Sequence, residues 1–543
     1  MISTEFLLAA TLVVPLVMLV ACLSSQVRER MPQLLALAPV PALIAALLAH
    51  ENAMLAFPAP LSITLTLDQP SRILLGVVAL LWTAAGVYAS TYLRDKPQSG
   101  LFTVWWLLTL IGNLGVFIAA DLTSFYLAFA LVSLSAYGLV AFDGTERSRR
   151  AGFVYVALGI LGEAALLLGF VRLALGTPGD SLLIRDAVAA LPESAWRDST
   201  LAFLIFGFGL KIGLVPLHVW IPLAHSEAPL PVSVVLSGAV VKAGVIGLIR
   251  FLPFEVALPE WGYALAALGL FTSLYGVGVG LTQDNPKSVL AYSTLSQMGV
   301  VAAVIGTGLA VGDASSRLGA SFYAAHHVLA KGALFLTVGV VVAANASRLR
   351  PLLIITAVMA LGLGGLPLTG GALAKSAVKA QLGQGVIGGL ATLSAIGTTM
   401  LMLHFLRRLF FTTSKGRMAE PSAGLVLPWL AISGASVAVP WIMYGSVTGG
   451  DVREVLSLQA LWGSLWPVLV GGGLAFVLKD WLHCLPRLPV GDIAALYKGW
   501  IPAAKQIGDA IEHIETHLRD WPVAFASLLT LTVMLGAALM AGH

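Results

Sequence analysis

Charge is what this sequence has least of. Only 11% of its 543 residues are Asp, Glu, Lys or Arg, against about 25% in a soluble domain. The hydrophobic share is 58%. So little charge cannot coat the surface of a soluble protein of this length, which assigns most of the chain to lipid. Cysteine is also scarce. Cys22 and Cys484 are the two present, and with no CxxC spacing they can build neither an iron–sulfur cluster nor a zinc site. No redox centre, cofactor or metal is therefore expected within the chain. The net charge of +4 is scattered over loops, with no basic patch interleaved with aromatics, so nucleic acid is excluded as a partner. GVGVG at 276–280 lies inside an apolar run, so it is a helix-packing feature and not a phosphate loop. There is no Walker sequence and no nucleophile elbow.

What is present is a succession of apolar runs, about sixteen at roughly 20 residues per span, the first at 4–23 and the last at 522–541. The expected class is an all-α integral membrane protein. The first run lacks a small-residue cleavage site and is expected to stay as a span. Arg and Lys crowd the loops after odd-numbered spans, as in Arg147, Arg149 and Arg150, whereas the loop at 177–198 is acidic. By the positive-inside rule those basic loops face the cytoplasm of a bacterial cell, and both termini face away from it. Residues 490–520 are too polar to span. Their apolar positions, among them Ile493, Tyr497, Ile507, Ile511 and Leu518, recur at helical spacing, which predicts an amphipathic helix along the membrane surface.

Six ionisable residues fall inside apolar spans: Glu163, Lys211, Lys242, Lys331, Lys375 and Lys379. A Lys at a helix centre costs about 2.5–3.5 kcal/mol on insertion scales, so a purely structural use of five is uneconomical and polar cavities are implied. Glu163 is the one carboxylate near a span centre. Beside a lysine it is either a structural ion pair or a pKa-coupled proton switch. His327 precedes Lys331 by one helical turn, on the same face, as a proton relay requires. Lys379 lies nearer a span end, where a long stem can snorkel. His218 and His225 are candidates for a proton entrance at the cytoplasmic mouth. Helix breakers accompany the charges: Pro229 and Pro231 at the start of span 8, and Pro367, Gly370 and Gly371 in span 12. Broken spans in transporters line cavities, and these predict a break in the helix 7/8 region and another in helix 12.

Four stretches carry a resemblance: LKIGLVPLHVWIPLAHSEAPLPVSVVLSGAVVKAGVIGLIR, DNPKSVLAYSTLSQMG, HHVLAKGALFLTVG and GGLPLTGGALAKS. Together they resemble the antiporter-like proton-translocating subunits of respiratory complex I, of membrane-bound hydrogenases of the formate-hydrogenlyase type, and of Mrp antiporters. The resemblance implies a fourteen-helix core with two inverted five-helix repeats and broken helices. It suggests a division into helices 1–3 (1–100), a first repeat of helices 4–8 (101–252), a second of helices 9–13 (259–411), helices 14–15 (412–489), a lateral helix (490–520) and a last span (521–543). It implies a proton relay through Lys211, Lys242, His327, Lys331 and Lys375, and partners that are other membrane subunits and a soluble module, with protons or Na+ as the transported ion. One departure is plain. The glutamate that the family carries in helix 5 falls on Ala130, and Glu163, one helix on, is expected to replace it as the partner of Lys211. The alternatives are an Mrp-type cation/proton antiporter subunit, or a membrane scaffold for a soluble partner such as an inorganic-carbon accumulation complex.

Overall fold

The computed structural model describes residues 3–50, 53–57, 63–94, 96, 98–344, 346–383, 385–413, 422–478 and 486–491. Among them, thirteen helices are long and apolar enough to cross a membrane, with Leu349–Gly364 as a shorter apolar stretch. With the nine-residue α2, too short to span, and the broken α12 among them, the helices in chain order are α1 (Thr4–Ala21), α2 (Val40–Leu48), α3 (Gln69–Tyr92), α4 (Ser99–Ile118), α5 (Leu122–Val140), α6 (Glu146–Gly176), α7 (Arg197–Glu227), α8 (Leu230–Phe251), α9 (Pro259–Gly280), α10 (Pro286–Val311), α11 (Ser316–Ala343), α12 in two pieces (Ala346–Gly364 and Gly370–Ala377), α13 (Gly385–Thr413), α14 (Ala423–Thr448) and α15 (Leu458–Val477). The all-α membrane class holds. The expected lateral helix and last span lie outside the described residues.

Two expectations need correcting. The second run, 32–49, does not form one spanning helix. Pro32, Pro39 and Pro41 break it into a 3₁₀ turn at Met31–Gln33 and the nine-residue α2, because each proline removes a backbone donor. The first break is also displaced from where Pro229 and Pro231 suggested. These prolines sit at the cap and first turn of α8, where a missing N–H costs nothing. The break is in α7, which is helical over Arg197–Ile212, irregular to Pro216, and helical again over Trp220–Glu227.

The two breaks share one chemistry. At the first, Gly213 takes φ +83°, its N–H bonds the Leu210 carbonyl, and the Leu214 N–H reaches Gly209. At the second, Gly365 takes φ +102°, its N–H bonds Gly362, and the Leu366 N–H reaches Leu361. Both are Schellman closures, which satisfy carbonyls that would otherwise be orphaned away from water. The breaks thus fall in α7 and α12, five helices apart in chain order.

Burial is concentrated on α8, α10 and α11, whose apolar windows are 100%, 94% and 89% buried, against 17% for α15. Between α9 and α10, Gly262, Gly269 and Gly276 meet Gly306, Gly299 and the Tyr292 backbone so closely that an added Cβ would strike main chain at each. Small residues at such crossings let helices approach without side-chain interference.

Candidate functional site: a buried line of lysines, histidines and hydroxyls

The first cluster forms where α7 breaks. Lys211 stands in the last turn before Gly213, where the negative end of the helix dipole favours a cation. Its Nζ donates to the Ser133 hydroxyl at 2.8 Å and faces the Tyr155 hydroxyl at 3.4 Å. The rings of Phe129 and Tyr155 lie 5.5 Å from Nζ and that of Trp220 lies 6.0 Å away, an arrangement that favours the charged amine. Trp220 also donates its indole N–H to the Leu210 carbonyl at 2.9 Å, using one backbone acceptor the break exposes. Glu163, on α6, is 7% exposed. It acts on Lys211 electrostatically, with no salt bridge between them among the described residues, and lies close to the Ser133 hydroxyl, while its Oε1 has no partner among the described residues. Ser133, which accepts from Lys211, therefore stands between carboxylate and amine. It sits on α5 one turn beyond Ala130, so the helix that lacks the glutamate still contributes a hydroxyl.

The second cluster is at α8 and α11. From Leu236 to Val240 the backbone of α8 widens into a π turn, and the Val241 N–H reaches Leu236. That leaves the Ser237 carbonyl without its usual helical donor. Lys242 Nζ takes it at 2.9 Å and lies 2.6 Å from Nδ1 of His327. Lys242 and His327 are wholly buried. His327 Nε2 has no partner among the described residues. One turn on, Lys331 donates to the Leu290 carbonyl at 2.8 Å and to the Ser293 hydroxyl, both on α10.

The third cluster surrounds the α12 break. Lys375 donates to the Gly364 carbonyl at the end of the first half-helix. It lines a cavity of about 340 Å³ with Gln297, Tyr323, Thr398 and the exposed Lys379. Tyr323 donates to Gln297 at 2.7 Å, and Gln297 donates to Thr398 at 3.1 Å.

Of the residues singled out in the sequence, the structure joins Lys242 to His327, sets Lys331 one turn along α11, and places Glu163 near enough to Lys211 to act on it electrostatically. It brings neither Lys211 to Lys242 nor Lys331 to Lys375 by a direct hydrogen bond among the described residues. His218 and His225 are wholly buried, against Tyr275 at 5.1 Å and Phe335 at 5.5 Å between ring centroids, so neither lies open at a surface mouth. His326 faces the backbone of Gly370 and Gly371 beside the α12 break. Sequence reasoning missed Ser133, Tyr155, Ser293, Gln297 and Tyr323. The available signal was a neutral polar group inside an apolar span. It also missed Lys287, whose Nζ donates to the Ala228 carbonyl at 2.6 Å just past α7. Among the described residues no group of three or more His, Cys, Asp or Glu is placed to hold a metal ion.

The profile described as NADH:quinone oxidoreductase/Mrp antiporter, TM matches residues 119–403, just over half the chain and every residue of the three clusters. The chain belongs to the NADH:quinone oxidoreductase/Mrp antiporter family. Among curated members it is 30% identical over 293 residues to hydrogenase-4 component B of Escherichia coli (strain K12), covering 52% of this chain and 43% of that one. It is 32% identical over 296 residues to NADH-quinone oxidoreductase subunit N of Desulforudis audaxviator (strain MP104C), covering 52% and 57%. The chain thus spans about half the length of the curated relatives it matches. Its fold is similar to a chain of the Mrp complex from Dietzia sp. DQ12-45-1b, with TM-score 0.73 and 21% identity, over 99% of this chain and 63% of that one. These relatives are subunits of multisubunit membrane assemblies, and this family member is a multi-pass membrane protein of the same fold.

Proposed function

We propose that this family member translocates protons as the antiporter-like subunit of a complex I-related or hydrogenase-type redox complex. The observation that carries the reading is the buried contact of 2.6 Å between Lys242 and His327. Two cations at that distance in a low-dielectric interior repel strongly, so the pair holds at most one added proton between them. A proton that can sit on either group can be passed. In this reading protons arrive from the cytoplasm near Lys242, traverse His327 and Lys331, and leave by Lys375. Glu163, through Ser133, tunes the charge on Lys211 and so couples the first cluster to the rest. Helices 4–8 (101–252) and 9–13 (259–411) act as inverted repeats, a reading supported by equivalent breaks five helices apart. The membrane is the bacterial cytoplasmic membrane, with both termini outside, and the driving force comes from a soluble module bound with other membrane subunits.

The second reading is an Mrp-type cation/proton antiporter subunit, favoured by the fold likeness to the Mrp complex. One experiment separates the two. The assembled complex, purified from native membranes and reconstituted into vesicles, is assayed for proton uptake with a pH-sensitive dye, with and without Na+. Uptake that follows electron transfer, ignores Na+ and disappears in Lys242→Ala supports the first reading. Uptake that needs Na+ and no redox substrate overturns it in favour of the second. Wild-type uptake in Lys242→Ala overturns both.

A further inference from the structure

The π turn in α8 must be held open by something, because a relaxed α-helix would return the Ser237 carbonyl to the Val241 N–H and deprive Lys242 of that acceptor. Its supports come from outside the helix. Asn113, wholly buried on α4, donates from Nδ2 to the Ala239 carbonyl at 3.2 Å, inside the widened turn. Trp82, wholly buried on α3, donates its indole N–H to Asn113 Oδ1 at 2.9 Å. An indole N–H can only donate, so it fixes which end of the amide faces it and leaves the NH2 to face Ala239. The residue before Trp82, Leu81, packs where a Cβ on Gly238 would stand. Ser237 is pinned on its other side by Thr294 at 2.8 Å. Among the described residues neither Asn113 nor Trp82 hydrogen-bonds to a lysine or histidine of the proton line.

We propose that Asn113, oriented by Trp82, is a positioning residue for Lys242: it keeps the π turn open so that the Ser237 carbonyl remains available to hold the Lys242 ammonium. The inference rests on the proton-translocating reading above. The charged and titratable groups around Lys242 are His327 and Lys331 on α11 and His225 on α7, while the stem of Lys211 packs beside Gly244, two residues along α8. Lys331 is a cation that opposes charge on Lys242, and all of these groups are left in place when the turn relaxes. What changes is one acceptor for the ammonium. A hydrogen bond accepted from the ammonium favours the charged form, so its loss lowers the affinity of Lys242 for its proton. Losing the acceptor therefore makes Lys242 load only at lower pH.

The test is the pH profile of redox-driven proton uptake by the reconstituted complex. Asn113→Leu keeps the volume but no amide, and should move the alkaline limb toward acid by roughly one unit. Trp82→Phe removes only the orienting donor and should move it the same way by less. Trp106→Phe disturbs the ring 4.8 Å from Trp82 without touching either hydrogen bond, and should leave the profile where it is. If Asn113→Leu does not assemble, Trp82→Phe decides alone. Wild-type profiles in the clamp variants, or a uniform loss of rate with no shift, overturn the clamp. A wild-type complex whose uptake is indifferent to Lys242→Ala overturns instead the translocation reading on which it rests.

Discussion

Lys242 Nζ lies 2.6 Å from Nδ1 of His327, and neither side chain reaches solvent. If the pair passes a proton, holding charge is not enough, because Lys242 must also release it. Arginine keeps the charge and does not deprotonate in proteins. Lys242→Arg is expected to reduce proton uptake roughly a hundredfold or more, as Lys242→Ala does, in line with the about 10²–10⁴ that general acid–base groups contribute. Uptake near the wild-type rate in Lys242→Arg would mean that the residue supplies charge alone.

Ser133 links Glu163 to Lys211. Glu163→Gln should abolish most uptake, and Lys211→Ala should do the same. Ser133→Ala should be milder, because the Coulomb attraction survives the loss of the bridge. A Glu163→Gln complex that transports normally while Lys211→Ala is dead removes Glu163 from the switch and returns it to a structural pair.

The two breaks should be sensitive to a methyl group. Gly213→Ala and Gly365→Ala place a Cβ on residues at φ +83° and +102°, at a cost of about 1–2 kcal/mol each from backbone conformation. At Gly213 the new carbon also meets Ile221 and Leu295, and at Gly365 it meets the flexible stem of Lys375, so Gly213→Ala is the more damaging. Gly144→Ala, at φ +64° with open space around it, measures the backbone component alone. Thermal unfolding in detergent should rank the three as Gly213, Gly365, Gly144; equal midpoints for Gly213→Ala and Gly144→Ala would refute the packing component.

Asp68 caps α3 through the Ser71 N–H at 2.9 Å and meets Arg250 at 3.3 Å. Burial alone would raise its carboxyl, but Arg250 and the bonds from Ser71 outweigh this and hold it below the usual carboxylate range. A depressed folded value means that the carboxylate's stabilisation is fully present above its unfolded value, about 3.9, and is lost as pH falls through the folded one. Asp68→Asn should cost about 1 kcal/mol or less at neutral pH, since asparagine still caps, and the difference from wild type should vanish in strong acid. A difference independent of pH would assign the effect to packing.

The fold class and the positions of the charges were legible because both are statements about single segments. An apolar run of spanning length with a lysine near its centre declares itself without reference to any other helix, as Lys211 and Lys242 do. The breaks were half legible. Proline and glycine marked 229–231 and 367–371, but proline at a helix start and proline in a helix interior look alike in sequence. Gly213, which makes the first break, is one glycine among 56.

What the sequence by itself determined is therefore a multi-helix membrane chain, with few charges, each too costly to leave without a use. Tertiary structure alone decided who partners whom: Ser133 between Glu163 and Lys211, His327 against Lys242, and Asn113 on the carbonyl of Ala239. Helical periodicity specifies which residues share a face, but the helix opposite that face is chosen by packing over the whole molecule. Hydroxyls, amides and backbone carbonyls therefore acquire their roles only where distant helices meet.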